Sequence, residues 1–467
     1  MSTSSLYGST ISSILGNVND AFSGKTSGID VGTVVSELMQ VERQPEAVLQ
    51  QQQATIASQT SALTTITGQM TTLYNSVNAL KDFTGVFTQN TAASSDDAIV
   101  SASADSTAVA GTHSVTVSKL ATISSSYSDY IPSGTSLAGA TINVAYGSDP
   151  AHPLKTDTIT IPSTATTLQQ AATAITNGGY GVSASVVSDS KGSRLVLTSN
   201  TSGANGNLTV SSTATNFTSA VGQDAALTVD GVPVDSATNT VTGSIQGVTL
   251  SLGAADADTS VLISVQPDTT DAATAIQSFV TAYNAVMSSI NSQYTVGSDG
   301  NEGVLGSDSM LRTLQSQLLG LVSTSASGGG QYVNLQSMGV EMQDDGTLQI
   351  NSAALSTALS SNYSDVQKFF TSTSPAGWGQ TVGTQLLQMT DPTVGLVAAD
   401  INGLNQTNNS LTQQISDFEV RMTAVQQQLT TQYSNLSELL QQYPAQLQQV
   451  AAQLGSLPTT SNSSSGS

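Results

Sequence analysis

The chain has 467 residues, 10 Lys plus Arg against 32 Asp plus Glu, a formal charge of −22 and no cysteine. That balance argues against nucleic acid as a partner, because phosphate contacts need clustered cations, and against an anionic membrane surface for the same reason. Without cysteine there are no disulfides, no thiolate catalysis and no cysteine-ligated zinc. Charged residues make up only 9%, so Ser, Thr, Asn and Gln supply the polarity, a neutral surface suited to packing against other subunits. The length predicts about three domains, and no stretch reaches the roughly 18 apolar residues of a membrane span.

Met1 to Gly24 lacks the basic and apolar regions of a Sec signal. It reads either as a disordered tail or as an unfolded export signal that folds on assembly. From Leu49 the apolar residues step by three and four through Ile56, Leu63, Ile66, Met70, Leu73, Val77 and Leu80, with Gln52 and Gln59 interrupting. This spacing predicts a long helix with one apolar seam. The middle of the chain, from about Asp96 to Pro267, alternates instead. Val115 and Val117, Leu227 to Val229, Val232 to Val234, Val248 to Leu252 and Val261 to Val265 read as strands. Asp230-Gly231 predicts a type I′ hairpin turn. Leu168, Ala171, Ala172 and Ile175 mark a short helix ending at Asn177-Gly178-Gly179, followed by strands at Gly181 to Val187 and Arg194 to Thr198.

Helix returns over Thr274–Ser292 and around Met310–Val322, and a hairpin is predicted between Leu335 and Ile350, turned at Asp344-Asp345-Gly346. A second seam runs through Leu411, Ile415, Phe418, Met422, Val425, Leu429 and Leu436, with Gln432 interrupting. Pro444 predicts a break, because proline lacks the helix donor, and a separate helical segment carrying Leu447, Val450 and Leu454. Pro458 to Ser467 is a low-complexity tail.

The economical solution pairs the Ile56–Leu80 seam with the Leu411–Leu436 seam and puts both termini at one end. The expected fold class is α+β and multidomain, a terminal coiled-coil stalk with two inserted β-rich head domains. The expected division is a terminal segment at 1–44, a helical stalk at 45–90 with 269–442, a β-rich domain at 91–125 with 222–268, an inserted β-rich domain at 126–221, and a terminal segment at 443–467. The sparse apolar residues of the first terminal segment, Ile29, Val34, Val35, Leu38 and Met39, and of the last, Leu447, Val450 and Leu454, predict segments that are mobile in the single chain and order against neighbouring subunits.

The residues that could carry catalysis fail simple tests. His113 shares the parity of Val115 and Val117 and sits at a strand end; His152 lies in a loop between prolines. No Gly-x-Ser-x-Gly elbow presents a serine, and Asp344-Asp345-Gly346 lacks the alternating ligands and closing Glu of a calcium loop. Gly328-Gly329-Gly330 has no following Lys-Ser/Thr for a phosphate, and Trp378 reads as local packing. No catalytic, cofactor-binding or metal-binding residues are assigned.

Ser27-Gly28-Ile29-Asp30-Val31 with Leu38-Met39, Glu42 and Pro45 closely resembles the opening of the bacterial flagellar filament cap proteins, the hook-associated protein 2 family. Ala110 to Ala121, Leu227 to Gly231, Gly306 to Arg312, Met338 to Asn351 and Asp365 to Phe370 are similar to later stretches of that family, in the same order. The resemblance implies an extracellular protein at the flagellum tip, exported by the flagellar type III apparatus. It implies a ring of about four to six copies, with the heads as a plate and the terminal helices as legs, under which flagellin folds and is inserted. Implied partners are further copies of the chain, flagellin, the hook–filament junction proteins and an export chaperone for the C-terminal region. Two alternatives remain beside the cap. One is a tip adhesin whose heads bind a glycan or host surface; the other is a different hook–filament junction protein. A secreted hydrolase is the enzyme alternative, and the failed site tests disfavour it.

Overall fold

A computed structural model describes residues 30–297, 300, 302–326, 330–373 and 376–455, together with Ser12, Leu15, Gly16, Asn19 and Asp20. Asp30 opens helix α1 (Val31–Glu42) by accepting a hydrogen bond from the Thr33 backbone N–H at 3.2 Å, which satisfies one of the free donors of a helix start. The chain breaks helix at Arg43 and restarts at once as α2 (Gln44–Lys81), with Pro45 in the first turn, where its missing N–H costs nothing.

The β-rich middle carries two sets of sheets. In the first set, β1 (Asn90–Ser94), β3 (Gly111–Lys119), β11 (Ala225–Val229), β12 (Val232–Ser236) and β15 (Asp256–Pro267) form a five-stranded sheet in the order β1-β15-β3-β11-β12. Beside it, β2 (Val100–Ala104), β13 (Thr240–Ile245) and β14 (Val248–Leu252) form a three-stranded sheet. Their inward side chains, among them Val115, Val117, Leu250 and Ile263, make one core. The β11–β12 turn has Asp230 at φ 52° and Gly231 at φ 80°, the two positive values a type I′ turn requires.

Between β3 and β11 the second set is inserted. It comprises β4 (Ile123–Ser128), β5 (Thr141–Tyr146), β6 (Lys155–Thr160), β7 (Val182–Asp189), β8 (Gly192–Ser202), β9 (Leu208–Ser212) and β10 (Phe217–Ala220). They pair as β10-β4-β8-β7 and β6-β5-β9. Helix α3 (Leu168–Asn177) starts at a Thr167/Gln170 capping box and buries Leu168, Ala171, Ala172 and Ile175 into the separate core of this set.

Helix then resumes. Asp268 caps α4 (Thr269–Tyr294) and Asp308 caps α5 (Ser309–Ser323). After the small hairpin of β16 (Val340–Met342) and β17 (Leu348–Ile350) come α6 (Ser352–Ser361), α7 (Tyr363–Thr371), α8 (Trp378–Thr390) and the 60-residue α9 (Leu396–Gly455). Trp378 is fully buried, stacked on Phe369 at 5.9 Å and edge-on to Phe279 at 5.2 Å and Phe370 at 5.7 Å. Such offset and edge-on ring pairs add to the area they bury.

Three expectations are corrected here. First, α2 and α9 do pair, antiparallel, but in a different register: the Gln53 amide donates to the Thr412 hydroxyl at 2.9 Å, and Thr67 to Thr71 lie opposite Val397 to Asn402. Leu63, Ile66, Met70, Leu73, Val77 and Leu80 therefore pack in the helical core with α4, α8 and the first turns of α9, and Leu411–Leu436 lie opposite α1 and the start of α2. A heptad pattern specifies which face of a helix is apolar, and α4 and α8 offer that face a larger aromatic surface. Second, α9 runs through Pro444 without a break. One proline forfeits a single ladder bond and can kink a helix instead of ending it. Third, residues 31–42 are not a mobile segment in the single chain, because α1 is docked on α9 with Val34, Val35 and Met39 buried.

Candidate assembly interface

The paired terminal helices carry an open groove and exposed apolar side chains that a partner could use. Val35 and Met39 on α1 and Phe418 and Met422 on α9 form a small buried cluster, flanked by half-buried Val31, Val425, Leu429 and Tyr433. Val35 and Met39 are four apart, hence on one helix face. The Arg421 guanidinium sits 5.1 Å from the Phe418 ring centroid and covers its outer side. Beside the cluster runs an open groove of about 810 Å³, with Val31, Val35 and Met39 on one wall and Gln426, Thr430 and Ser434 on the other. At its end Arg43 pairs with the buried Glu46 at 2.7 Å. The wall formed by α1 and Arg43 mixes apolar Val31, Val35 and Met39 with polar Ser36, Gln40 and Arg43, and the α9 side is neutral-polar. The chemistry of the groove is that of helix packing.

Of the residues expected to contact subunits, Leu38 is half-buried on α1, while Ile29 lies outside the described residues. The backbone of α9 carries Leu447, Val450 and Leu454, and their side chains also lie outside what is described. On the seams, Leu411 is buried and Ile56, Ile415 and Leu436 are half-buried. Leu439 and Tyr443, where the apolar spacing continues past Leu436, stand well exposed along α9, as does Val420, which the pattern did not single out. The only signal for Val420 was an apolar residue off the seam.

The head histidines make local ties. His113 Nδ1 lies 2.8 Å from Asp230 Oδ2, and the Ser114 N–H donates to Asp230 Oδ1 at 2.8 Å, so the strand end is stapled to the β11–β12 turn. Those two bonds, the histidine first, hold the Asp230 carboxyl below its ordinary value. His152 pairs with Asp149 within its own exposed loop. Asp345 accepts from the Thr347 N–H at 2.9 Å and shapes its turn. On the inserted sheets, Arg194 lies 3.8 Å from the Tyr130 ring centroid and 5.1 Å from that of Tyr127, while the Tyr130 hydroxyl donates to Asp189 at 2.7 Å; nothing in the local sequence pattern announced this stack. Among the described residues no three His, Asp or Glu converge as metal ligands, and no helix is long and apolar enough to cross a membrane.

The chain thus carries two β cores between the terminal segments whose helices pair antiparallel. The chain belongs to the flagellar hook-associated protein 2 family: residues 27–124 match the family's N-terminal model and residues 222–445 its C-terminal model. It is 30% identical over 413 residues to the B-type flagellar hook-associated protein 2 of Pseudomonas aeruginosa, covering 80% of this chain and 84% of that one. To the flagellar hook-associated protein 2 of Escherichia coli K12 it is 28% identical, over 79% of this chain and 84% of that one. Among solved structures it is similar to the D1-D2-D3 domains of the flagellar cap protein FliD from Escherichia coli, with a TM-score of 0.56 and 27% identity over 74% of this chain and 99% of that one. The two family matches flank most of the inserted β set.

Proposed function

We propose that the chain caps the distal end of the bacterial flagellar filament, outside the cell, after export by the flagellar type III apparatus. One observation carries this reading: the two family matches hold the two helices that pair, α1 and α2 in the first and α9 to residue 445 in the second. Several copies, about four to six, associate through their β cores into a plate, with α1, α2 and α9 as legs toward the filament. Flagellin arriving unfolded folds in the confined space beneath, and the ring then shifts to the next insertion point. The action is mechanical and needs no covalent step. Ile29, Leu38, Leu447, Val450 and Leu454, joined by the exposed Val420, Leu439 and Tyr443, are the proposed filament contacts. The C-terminal region is the proposed chaperone site during export, and the junction proteins the neighbours at the start of growth. The adhesin alternative has no observation in its favour.

The test deletes the gene in its host, complements with the full chain or with a chain lacking residues 1–40, and measures monomeric flagellin in the medium beside filament length. Leaked flagellin and bare hooks, rescued only by the full chain, are the expected result. Normal filaments in the deletion would remove the cap reading, and rescue by the truncated chain would remove the role of α1.

A further inference from the structure

The two β sets are joined at two crossings, residues 120–123 and 221–224. Two bodies joined in this way move against each other unless the junction itself is structured. Here it is. β3 and β11 pair with Lys119 opposite Ala226, and β4 and β10 pair with Ser125 opposite Ala220. Midway between, the Thr122 N–H donates to the Gln223 carbonyl at 2.9 Å and the Gln223 N–H to the Thr122 hydroxyl at 3.1 Å. Each step of three residues on one side meets a step of three on the other, so the register is unchanged from Lys119 to Ser125. Two neighbouring strands of the five-stranded sheet thus run on as β4 and β10, an antiparallel ribbon common to both cores.

Side chains brace the ribbon from either end. Asn239, whose carbonyl accepts from the Leu252 N–H of β14 at 2.8 Å, grips Ala121 with both ends of its amide. Its Oδ1 accepts from the Ala121 N–H at 2.7 Å and its Nδ2 donates to the Ala121 carbonyl at 3.0 Å. From the inserted set, Asn207 Oδ1 accepts from the Gly222 N–H at 2.6 Å, and the Gly203 N–H donates to the Thr122 carbonyl at 3.0 Å. The end of β8 also reaches across directly. The Ser202 hydroxyl donates to the Ala237 carbonyl at 2.6 Å, and the Ala204 N–H to Asp224 Oδ1 at 2.7 Å. Between these two bonds Gly203 has φ 79°, and a Cβ there would stand 2.8 Å from the Ala237 Cα. The backbones touch where only glycine allows it.

We propose that this ribbon and its braces make the two β sets one rigid body, with Thr122, Asp224 and Asn239 as the residues that position the inserted set. A hinge works through a few residues that absorb large changes of φ and ψ. At this junction the backbone groups of Ala121, Thr122 and Gln223 and the Gly222 N–H are engaged by partners, and turning one set against the other breaks those bonds together. The inserted set is therefore carried at a fixed angle. On the cap reading, every copy in the ring then presents it in the same place, but the rigidity itself does not depend on that reading.

The chain has no cysteine, so Val187→Cys on β7 and Val232→Cys on β12, both exposed positions, give one spin-label pair that spans the two sets. Double electron–electron resonance on the labelled full chain should give a single narrow distance peak. A broad or split distribution overturns the rigid body, whatever the chain does at a filament. Adding Thr122→Pro, which removes the N–H and the hydroxyl that bind Gln223, should broaden the distribution while the β-sheet circular dichroism is kept. A peak that stays narrow would overturn the role of the ribbon. Should Thr122→Pro not fold, Asn239→Ala removes both bonds to Ala121 and leaves the backbone intact. Broadening then supports the brace, and an unchanged peak overturns it.

Discussion

Replacing Phe418 by Ala should release α1 from α9 and leave the rest of the chain folded. Truncating a buried Phe in a full core costs roughly 3–5 kcal/mol. Here the cluster has only four buried members and half-buried flanks, so the lower end, about 3 kcal/mol, is the appropriate figure. That is roughly a hundredfold in an equilibrium constant. Little opposes the loss, because a helix the length of the 12-residue α1 is marginal alone in water and this cluster is its main apolar anchor. Its Asp30 cap adds about 1 kcal/mol, too little to hold it. Hydrogen exchange read by mass spectrometry separates the outcomes. Amides of 31–42 should lose about two orders of magnitude of protection while those of 63–80, in the helical core, keep theirs. Unchanged protection at 31–42 would refute the α1–α9 docking. Equal loss in both segments would refute the separateness of the two clusters.

Ile66→Asp places a carboxylate in the helical core, where Ile66 is 1% exposed. The lost packing alone amounts to about 2–5 kcal/mol, before the cost of burying a charge, so an unchanged melting curve would contradict the position given to α2. The His113–Asp230 tie predicts acid sensitivity of the five-stranded sheet. Asp230 is held below its ordinary value, chiefly by His113, so its contribution is present above that value and is lost as pH falls through the folded one. His113→Leu should flatten this part of the stability–pH curve, and identical acid limbs in the two proteins would refute the tie.

Local signals in the sequence translated well because their physics is local. Asp230-Gly231 takes two positive φ values wherever a tight hairpin needs them, and Leu168, Ala171, Ala172 and Ile175 share a helix face whatever lies opposite. The β-rich middle was legible as alternation. Pro444 misled because a proline's effect depends on whether neighbouring bonds can carry the helix past it, which a 60-residue helix can do.

Pairing between distant segments was legible only as a need. The seams at Ile56–Leu80 and Leu411–Leu436 each called for an apolar partner, and the direct match of one to the other satisfied both on paper. The structure satisfies them otherwise, since Phe87, Phe279, Phe369, Phe370 and Trp378 gather from separate segments into one aromatic core that takes the Leu63–Leu80 face. Leu411–Leu436 is then left to run alongside α1 and the start of α2, and Val35 and Met39 become anchors within the chain. The same logic places the open groove. An antiparallel pair of helices buries one stripe on each, here Val35 and Met39 against Phe418 and Met422, and leaves the adjoining stripes exposed along the groove.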